Sequence, residues 1–569
     1  MHLLLVALAL QLRTVAFAAP LDSRPSAGAL ADSVRDARHA RNEQASFERA
    51  RRAYLPSDPG GDGRCDVHVG RFCWWSDETR PLLPPEAPSV VARRALLIGL
   101  FDSLSAVHPG DDWIVGMAVH YRIESRDLAG ADSAARACRG TAWWCAALAG
   151  YAAQARGNAS TADSAFSAAL AEMPEAQRCQ WTDIHTLLPG DARGRYEKLS
   201  CAERTAVDVR YWTLGRPRLA SAANEWRSEF LARRVQSWLA GRSLTPQGLS
   251  WGDDAEELLL RYGWPVRWSR VERPFATLTP EIAVIGHDPW PSFDFGPREK
   301  LLDSLASASS DDDGWDLHSR QSAARFGPHR VDRVLALSSQ LARFRRGDST
   351  LLVGAFFIGD DSIRAPDARL AASLDDGSTY VSAPDSTMSG TTTLLLAGEP
   401  RLAGIEITDS VSSSLARSRM LFAPRAPAAA ALSDILLYRG GGEPPEVLDS
   451  ALTRAIAGQR VERGQPLGVY WEAYRPDDGG DSASVSITVE RTDHGFFRSA
   501  FQRLGVTESD SPLRMGWIDP RPVIGGVSTY AVSLDLANLS TGRYRISIAV
   551  TARDGSAITT SRDLELTDH

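Results

Sequence analysis

The residues whose types and spacing first suggest chemistry are Gly248-Leu249-Ser250-Trp251-Gly252, a match to G-x-S-x-G. That pattern serves acyl transfer when a strand feeds a tight turn, so that the serine hydroxyl stands clear above a sheet. The residues before it, Ser243-Leu244-Thr245-Pro246-Gln247, have no strand character. Asp253 and Asp254 follow at once and would set carboxylates beside any oxyanion hole. His287, His318 and His329 come later in the chain as sources of a base, with no spacing that ties them to Ser250. The segment therefore reads as a glycine-flanked turn before a helix with an acidic first turn. A serine hydrolase using Ser250 is the alternative.

Metal chemistry has two candidate sites. In Ser309-Ser310-Asp311-Asp312-Asp313-Gly314-Trp315-Asp316, the carboxylates of Asp311, Asp313 and Asp316 offer oxygen ligands for calcium. The run lacks the alternating spacing and distal glutamate of an EF-hand, so a solvated acidic loop is preferred. Cys65, His68 and Cys73 offer three zinc ligands with no second half-site, and an oxidising compartment would consume the thiols. Paired or turn-borne tryptophans (Trp74-Trp75, Trp143-Trp144, Trp251, Trp264, Trp268) form either an aromatic platform or core, with core preferred. Both lysines, Lys198 and Lys300, follow a glutamate, which removes the Walker and S-x-x-K arrangements. H-E-x-x-H, C-x-x-C and G-x-G-x-x-G are absent, and no motif asks for a cofactor. A net charge of −8 argues against a nucleic-acid partner.

These residues must be positioned by elements that the pattern also outlines. Residues 3–10, LLLVALAL, followed by Ala16-Phe17-Ala18, read as a signal peptide over 1–18 with cleavage before Ala19, hence a periplasmic or secreted protein. No later stretch approaches the ~18 apolar residues of a membrane span. Six cysteines fall in three local pairs, Cys65 with Cys73, Cys138 with Cys145, and Cys179 with Cys201. As disulfides these short loops would give about 2–3 kcal/mol each.

Residues 19–88 form an N-terminal segment with one local disulfide, and 89–240 carry apolar positions at helical spacing. Residues 143–174 resemble a tetratricopeptide repeat. Gly150 stands where its two helices meet, Gly157 ends the first, Ala162, Phe166 and Ala169 pack the second, and Pro174 stops it. Residues 111–138 resemble a degenerate second hairpin. Asn224 is placed to cap a helix running to about 240. After a segment at 241–299 and a flexible polar linker at 300–329, short alternating strands predict two antiparallel β-sandwiches, at 330–425 and 432–569. The expected class is multidomain α + β, helical first.

Trp251-Gly252-Asp253-Asp254 with Glu257, then Arg261-Tyr262-Gly263 and Pro265, resembles the motif region of bacterial GWxTD-motif proteins as a divergent relative. In this chain Trp precedes Gly and no Thr precedes the Asp. Trp212, Pro217, Asn224 and Glu229 extend the likeness upstream. The resemblance implies an exported protein with a strand-rich C-terminal half, and it brings no catalytic residues. The function expected is a non-catalytic scaffold that binds a peptide or protein on its helical repeats. Carbohydrate binding by a sandwich is a further alternative, with Tyr470, Trp471 and Tyr474 as candidates.

Overall fold

The computed structural model describes residues 27–57, 67–74, 84–273, 281–287, 292–303, 315, 323–375, 377–423, 425, 431–474, 483–493, 512–519, 526–551 and 556–568. Helices come first: α1 (Ala27–Ala53), α2 (Pro88–Val107), α3 (Asp112–Glu124), α4 (Leu128–Ala137), α5 (Ala142–Ala155), α6 (Ala159–Glu172), α7 (Glu175–Thr182), α8 (Gly190–Tyr196), α9 (Cys201–Leu214), α10 (Glu225–Ala240) and α11 (Asp253–Tyr262). Between α1 and α2 lies a small hairpin, β1 (Val67–Val69) and β2 (Phe72–Trp74). A second hairpin, β3 (Arg267–Arg273) and β4 (Glu281–His287), follows α11 and precedes the short α12 (Glu299–Asp303).

Local chemistry sets the helix ends. The Asp111 carboxylate accepts from the amides of Trp113 and Ile114 at 3.0 and 2.9 Å, opening α3. Gly157, at φ +74°, closes α5, and Asn158 opens α6 by accepting from the Thr161 amide. Pro174, just past the end of α6, is the N-cap of α7. A Cβ on Gly150 would stand 2.9 Å from the Phe166 ring, so only glycine lets α5 and α6 approach this closely. Ala162, Phe166 and Ala169 form the buried face of α6.

Helix α10 packs against α3, α5 and α6. Trp238 on it meets Trp144 at 4.1 Å between ring centroids, and Leu239 sits over Gly116. Twelve of its 16 residues are buried, so it is an internal helix with little free face. The surface that the hairpins were expected to offer a partner is thus largely covered by the chain itself. Cys138 pairs with Cys145 and Cys179 with Cys201. Cys65, and the Cys73 side chain, lie outside the described residues.

The C-terminal half is built of β-sheets. Its first part holds β5 (Arg333–Leu335), β6 (Ser338–Arg346), β7 (Ser349–Phe357), β8 (Pro366–Ser373), β9 (Thr379–Val381), β10 (Ser389–Leu396), β11 (Leu402–Asp409), β12 (Ser414–Arg417) and β13 (Met420–Leu421). One sheet has the order β10-β7-β6 and the other β5-β12-β11-β8-β9, antiparallel except for β5 with β12. Leu341, Leu352, Phe356, Leu370 and Ile405 fill the space between them.

The second part holds β14 (Ala431–Leu432), β15 (Leu436–Arg439), the short α13 (Leu448–Leu452), β16 (Arg460–Glu462), β17 (Leu467–Tyr474), β18 (Ala483–Arg491), β19 (Leu513–Asp519), β20 (Val527–Leu534), β21 (Gly542–Thr551) and β22 (Ala557–Thr567). Strand β17 pairs with β14, β15 and β20, facing a sheet of order β16-β22-β21-β18-β19. All eight residues of β17 are buried. Trp471 lies in the core between these sheets, while Tyr470 packs with Phe344 and Val353 of the first part.

The stretch read as a flexible linker is packed at both described ends, because Leu301, Leu302, Ala324 and Phe326 join the helical core. Composition averaged over a polar run concealed these four residues. Helical and β regions are joined through Glu406 on β11. Its carboxylate accepts from the amides of Leu219 and Ala220 and from Arg419, and Arg417 donates to the carbonyls of Arg216 and Pro217 at 2.9 and 3.0 Å. Arg419 and Glu406 are both buried, so removing one leaves the other charge uncompensated. Glu406→Ala is expected to lower stability by about 3 kcal/mol, read from the shift of the urea unfolding midpoint.

Candidate functional site

Ser250 sits exposed in a loop between α10 and α11, with no strand feeding it. Its carbonyl accepts from Arg71 Nη2 at 3.1 Å. His287 is engaged elsewhere: Nε2 lies 2.8 Å from Ser269 Oγ, buried in the β3–β4 hairpin. His329 lies against Gly157, and His318 is outside the described residues. The strand-turn-helix setting that a serine nucleophile needs is not formed around Ser250.

The rest of the motif is engaged in holding segments together. Asp253 is exposed, and Asp254 is the residue that makes bonds. Arg71, in the β1–β2 turn, donates to it from its amide, Nε and Nη2 at 3.1, 2.7 and 2.8 Å. That hydrogen bonding keeps the Asp254 carboxyl well below the ordinary range. Trp251 is half-buried and packs on Gly241 at the end of α10, and Gly252 is the N-cap residue of α11. Glu257 accepts from Arg193 at 3.0 and 3.1 Å and from Arg261 at 3.2 Å; burial opposes its charge, yet these arginines hold it below its usual value. Arg261 also donates to the Tyr262 hydroxyl at 2.8 Å, and the Tyr262 ring stacks on Trp74 at 4.1 Å. Pro265 presses on Gly286 of β4.

Asn224 caps α10, accepting from the Arg227 amide at 3.1 Å and donating to the Trp212 carbonyl at 2.7 Å. One turn further, Glu229 accepts from Arg233 Nε at 2.9 Å. The buried Arg233 guanidinium also donates to the carbonyls of Leu260, Arg261 and Arg325 at 2.9, 3.0 and 3.0 Å. Sequence reasoning named Glu229 but missed Arg233. Their i,i+4 spacing was the available signal.

A second group missed from sequence lies between α1, α2 and α3. Arg51 binds Glu124 through both Nη atoms, Arg94 adds a contact to Glu124 at 3.1 Å, and Glu48 lies 3.6 Å from Arg51. Glu48 also accepts from the Tyr121 hydroxyl at 2.7 Å. Burial raises Glu48 to about 7. Burial works against the charge of Glu124 too, but Arg51 and Arg94 hold it at about 2. Burial lowers His120 to about 4.

Beside this group opens a cleft of about 380 Å³. Its walls come from the ends of α3 and α5, from α10, from the turn at 264–266, and from residues 326–332 that lead into β5. Glu229 and Pro265 of the motif line it, as do Glu124, Tyr151, Gln154 and Trp264. The Trp264 indole nitrogen lies 3.5 Å from Glu124 Oε1, and Gln154 Nε2 donates to Glu229 Oε2 at 3.3 Å. This is a concave site with charged and aromatic walls, the form taken by small-ligand and side-chain pockets.

Other sequence candidates lie apart from the cleft. Asp311, Asp313 and Asp316 are outside the described residues, as is Trp75. Trp74, Trp144 and Trp268 are core. Tyr470, Trp471 and Tyr474 are at most 2% exposed, so the aromatic face expected of them is interior and offers a sugar no platform. Sheet packing on both sides of β17 is the reason.

No family model matches the chain, and no curated protein matches it. Among solved structures it is similar to native E. coli alpha-2-macroglobulin, at 8% identity and TM-score 0.20, over 51% of this chain and 26% of that one. It is also similar to red sea bream transglutaminase, at 8% identity and TM-score 0.14, over 41% of this chain and 32% of that one. Bacteroides uniformis beta-glucuronidase 2 matches at 9% identity and TM-score 0.16, over 38% and 26%. The chain thus spans between a quarter and a third of the length of these proteins. Likenesses of this degree carry no functional argument.

Two outcomes follow. Gly263 holds φ +91° and ψ 176°, a region nearly confined to glycine, and a Cβ there would stand 3.1 Å from Arg233 Nη2. Gly263→Ala is expected to cost about 2–3 kcal/mol, measured by chemical denaturation. Glu48 binds its proton more tightly folded, at about 7, than at the ordinary 4.5. Its contribution is complete below pH ~4.5 and is lost as pH rises through about 7. Glu48→Gln, which keeps the neutral shape, should match the parent protein near pH 4 and exceed it by about 3 kcal/mol at pH 8 in unfolding titrations.

Proposed function

We propose that this chain is an exported envelope protein that works by binding, taking a peptide or protein segment in the cleft between α3, α5, α10 and residues 326–332. The observation that carries this reading is the cleft itself: five separate segments converge on it, and its walls combine charged, amide and aromatic groups. The bonds made by Asp254, Glu257, Arg261 and Arg233 support a scaffold role for the motif, since each is used to hold chain segments in place. Two disulfides in the helical region fit an oxidising compartment, in line with the signal-peptide pattern at the N-terminus. No described helix is long and apolar enough to cross a membrane. The likeness of the motif region to GWxTD-motif proteins and of 143–174 to a tetratricopeptide repeat points the same way.

Because α10 covers the face shared by the hairpins, the reading moves the partner from the broad helical surface to the cleft. Val266, 48% exposed at its rim, is the position for a photo-crosslinking amino acid in the intact chain. Irradiation in cells is expected to give a discrete adduct with one polypeptide. The same residue placed at Val107, which is 67% exposed at the end of α2, should give none. Adduct patterns that are identical at both positions would remove the proposal.

A further inference from the structure

Resting on the binding role just proposed, the structure assigns the cleft a ligand chemistry: an acidic peptide segment whose carboxylates stand on either side of an apolar residue. The carboxylates deep in the cleft are already met. Glu229 is held by Arg233 and by the Gln154 amide, and Glu124 by Arg51, Arg94 and the Trp264 indole nitrogen. The charges left for a ligand are those at the rim.

Arg126 and Arg330 line the cleft there, and both are exposed. Neither makes a side-chain hydrogen bond, an ion pair or a ring contact among the described residues. Both hold positive φ, 64° and 62°. Arg126 follows Ser125, the C-cap of α3, and the Asp127 amide reaches back to the Arg122 carbonyl at 2.8 Å. That is the left-handed position that ordinarily goes to glycine. A side chain at such a position costs the fold free energy that glycine would not. Two long cations kept there, and bonded to nothing in the chain, do not serve the backbone; what they offer is charge at the cleft. Asp332 lines the cleft too and has no cation partner among the described residues, so two guanidinium groups against one carboxylate leave the rim positive. The chain as a whole has the opposite sign, with a net charge of −8.

Guanidinium groups bind carboxylates through paired N–H donors. Half-buried Ile123, Leu128 and Ala155, with Val266, add apolar lining suited to an apolar side chain. A volume of about 380 Å³ is far more room than a bare anion fills. In an extended segment, alternate residues point to opposite sides. A Glu-Leu-Glu sequence thus turns leucine into the cleft while both carboxylates stay at the rim with Arg126 and Arg330.

The test is calorimetric titration of the full chain with acetyl-Ala-Glu-Leu-Glu-Ala-amide and with versions reading Gln-Leu-Gln, Lys-Leu-Lys and Glu-Ser-Glu at the centre. The acidic peptide should bind, the Gln version about tenfold more weakly, and the Lys version not at all. Replacing leucine by serine should weaken binding about fivefold. The gap between the Glu and Gln versions should shrink as salt is raised to about 0.5 M. Arg126→Gly combined with Arg330→Gly should bring the acidic peptide down to the affinity of the Gln version while leaving the latter unchanged. Because glycine relieves the left-handed backbone, that variant should unfold at the parent's urea midpoint or a higher one. Loss of affinity without loss of stability separates recognition from misfolding. Arg126→Gln with Arg330→Gln should lose the same affinity, which assigns the effect to charge. Equal binding of the Glu and Gln peptides, no binding of the acidic peptide, or full affinity in either double variant would overturn the assignment. A lowered midpoint in the glycine variant would also overturn it, by showing that the arginines serve the fold. Inorganic phosphate or phosphatidylglycerol vesicles that bind more tightly than the peptide would overturn the peptide as the ligand. If the Val266 adduct forms but the acidic peptide does not bind, only the ligand class fails; if neither occurs, both proposals fall.

Discussion

The guanidinium of Arg233 is the contact on which the rest of this arrangement depends. It is buried, and one planar group bonds a carboxylate on its own helix and three carbonyls on two other segments. The end of α11, the turn at Gly263 and the strand-like passage at Arg325 are thereby held against α10. Each hydrogen bond to a charged donor is worth about 1.5–3 kcal/mol, and leaving the cation without them would be far more costly than any single loss. Gly263 fits because it can both adopt its backbone geometry and leave room for the guanidinium. With Arg233 in place, residues 326–332 are brought opposite α5, and the cleft has its far wall.

Around that point the molecule is joined by arginines. Arg71 ties the β1–β2 turn to α11, Arg51 ties α1 to α3, and Arg417 and Arg419 tie the first β part to the chain before α10. Nearly all the basic residues of this chain are arginine, and these sites use the planar, multi-donor geometry that lysine lacks. The apolar core does the bulk of the stabilisation, while these bonds decide how the segments are oriented. The cleft is a consequence of that orientation, since its walls come from five parts of the sequence.

Local features were legible from the residues. Asn224 caps a helix because a short polar side chain stands before an apolar stripe, and Gly157 and Pro174 end helices for reasons confined to a few residues. Two cysteine pairs closed with their nearest neighbours, and the alternating segments after residue 330 form antiparallel sheets. Alternation also put Tyr470 and Trp471 on opposite faces of β17 but could not reveal that both faces are covered. Long-range partners left no local trace: Arg71 and Asp254 are 183 residues apart, and Leu219 and Glu406 are 187 apart. Gln154 reads as an unremarkable helix residue until Glu229, 75 residues later, takes its amide nitrogen. The motif drew attention to Asp253, whereas geometry gives the bond to Asp254, because helix phase decides which of two adjacent carboxylates faces the β1–β2 turn.

Hydrogen exchange on Arg233→Met, compared with the parent chain, reads that dependence directly. If the guanidinium organises the region, peptides covering 257–266 and 323–332 should lose protection together, while those from β17, β18 and β21 keep theirs. Unchanged exchange in both segments, or loss spread evenly over the sandwiches, would contradict a cleft built around Arg233.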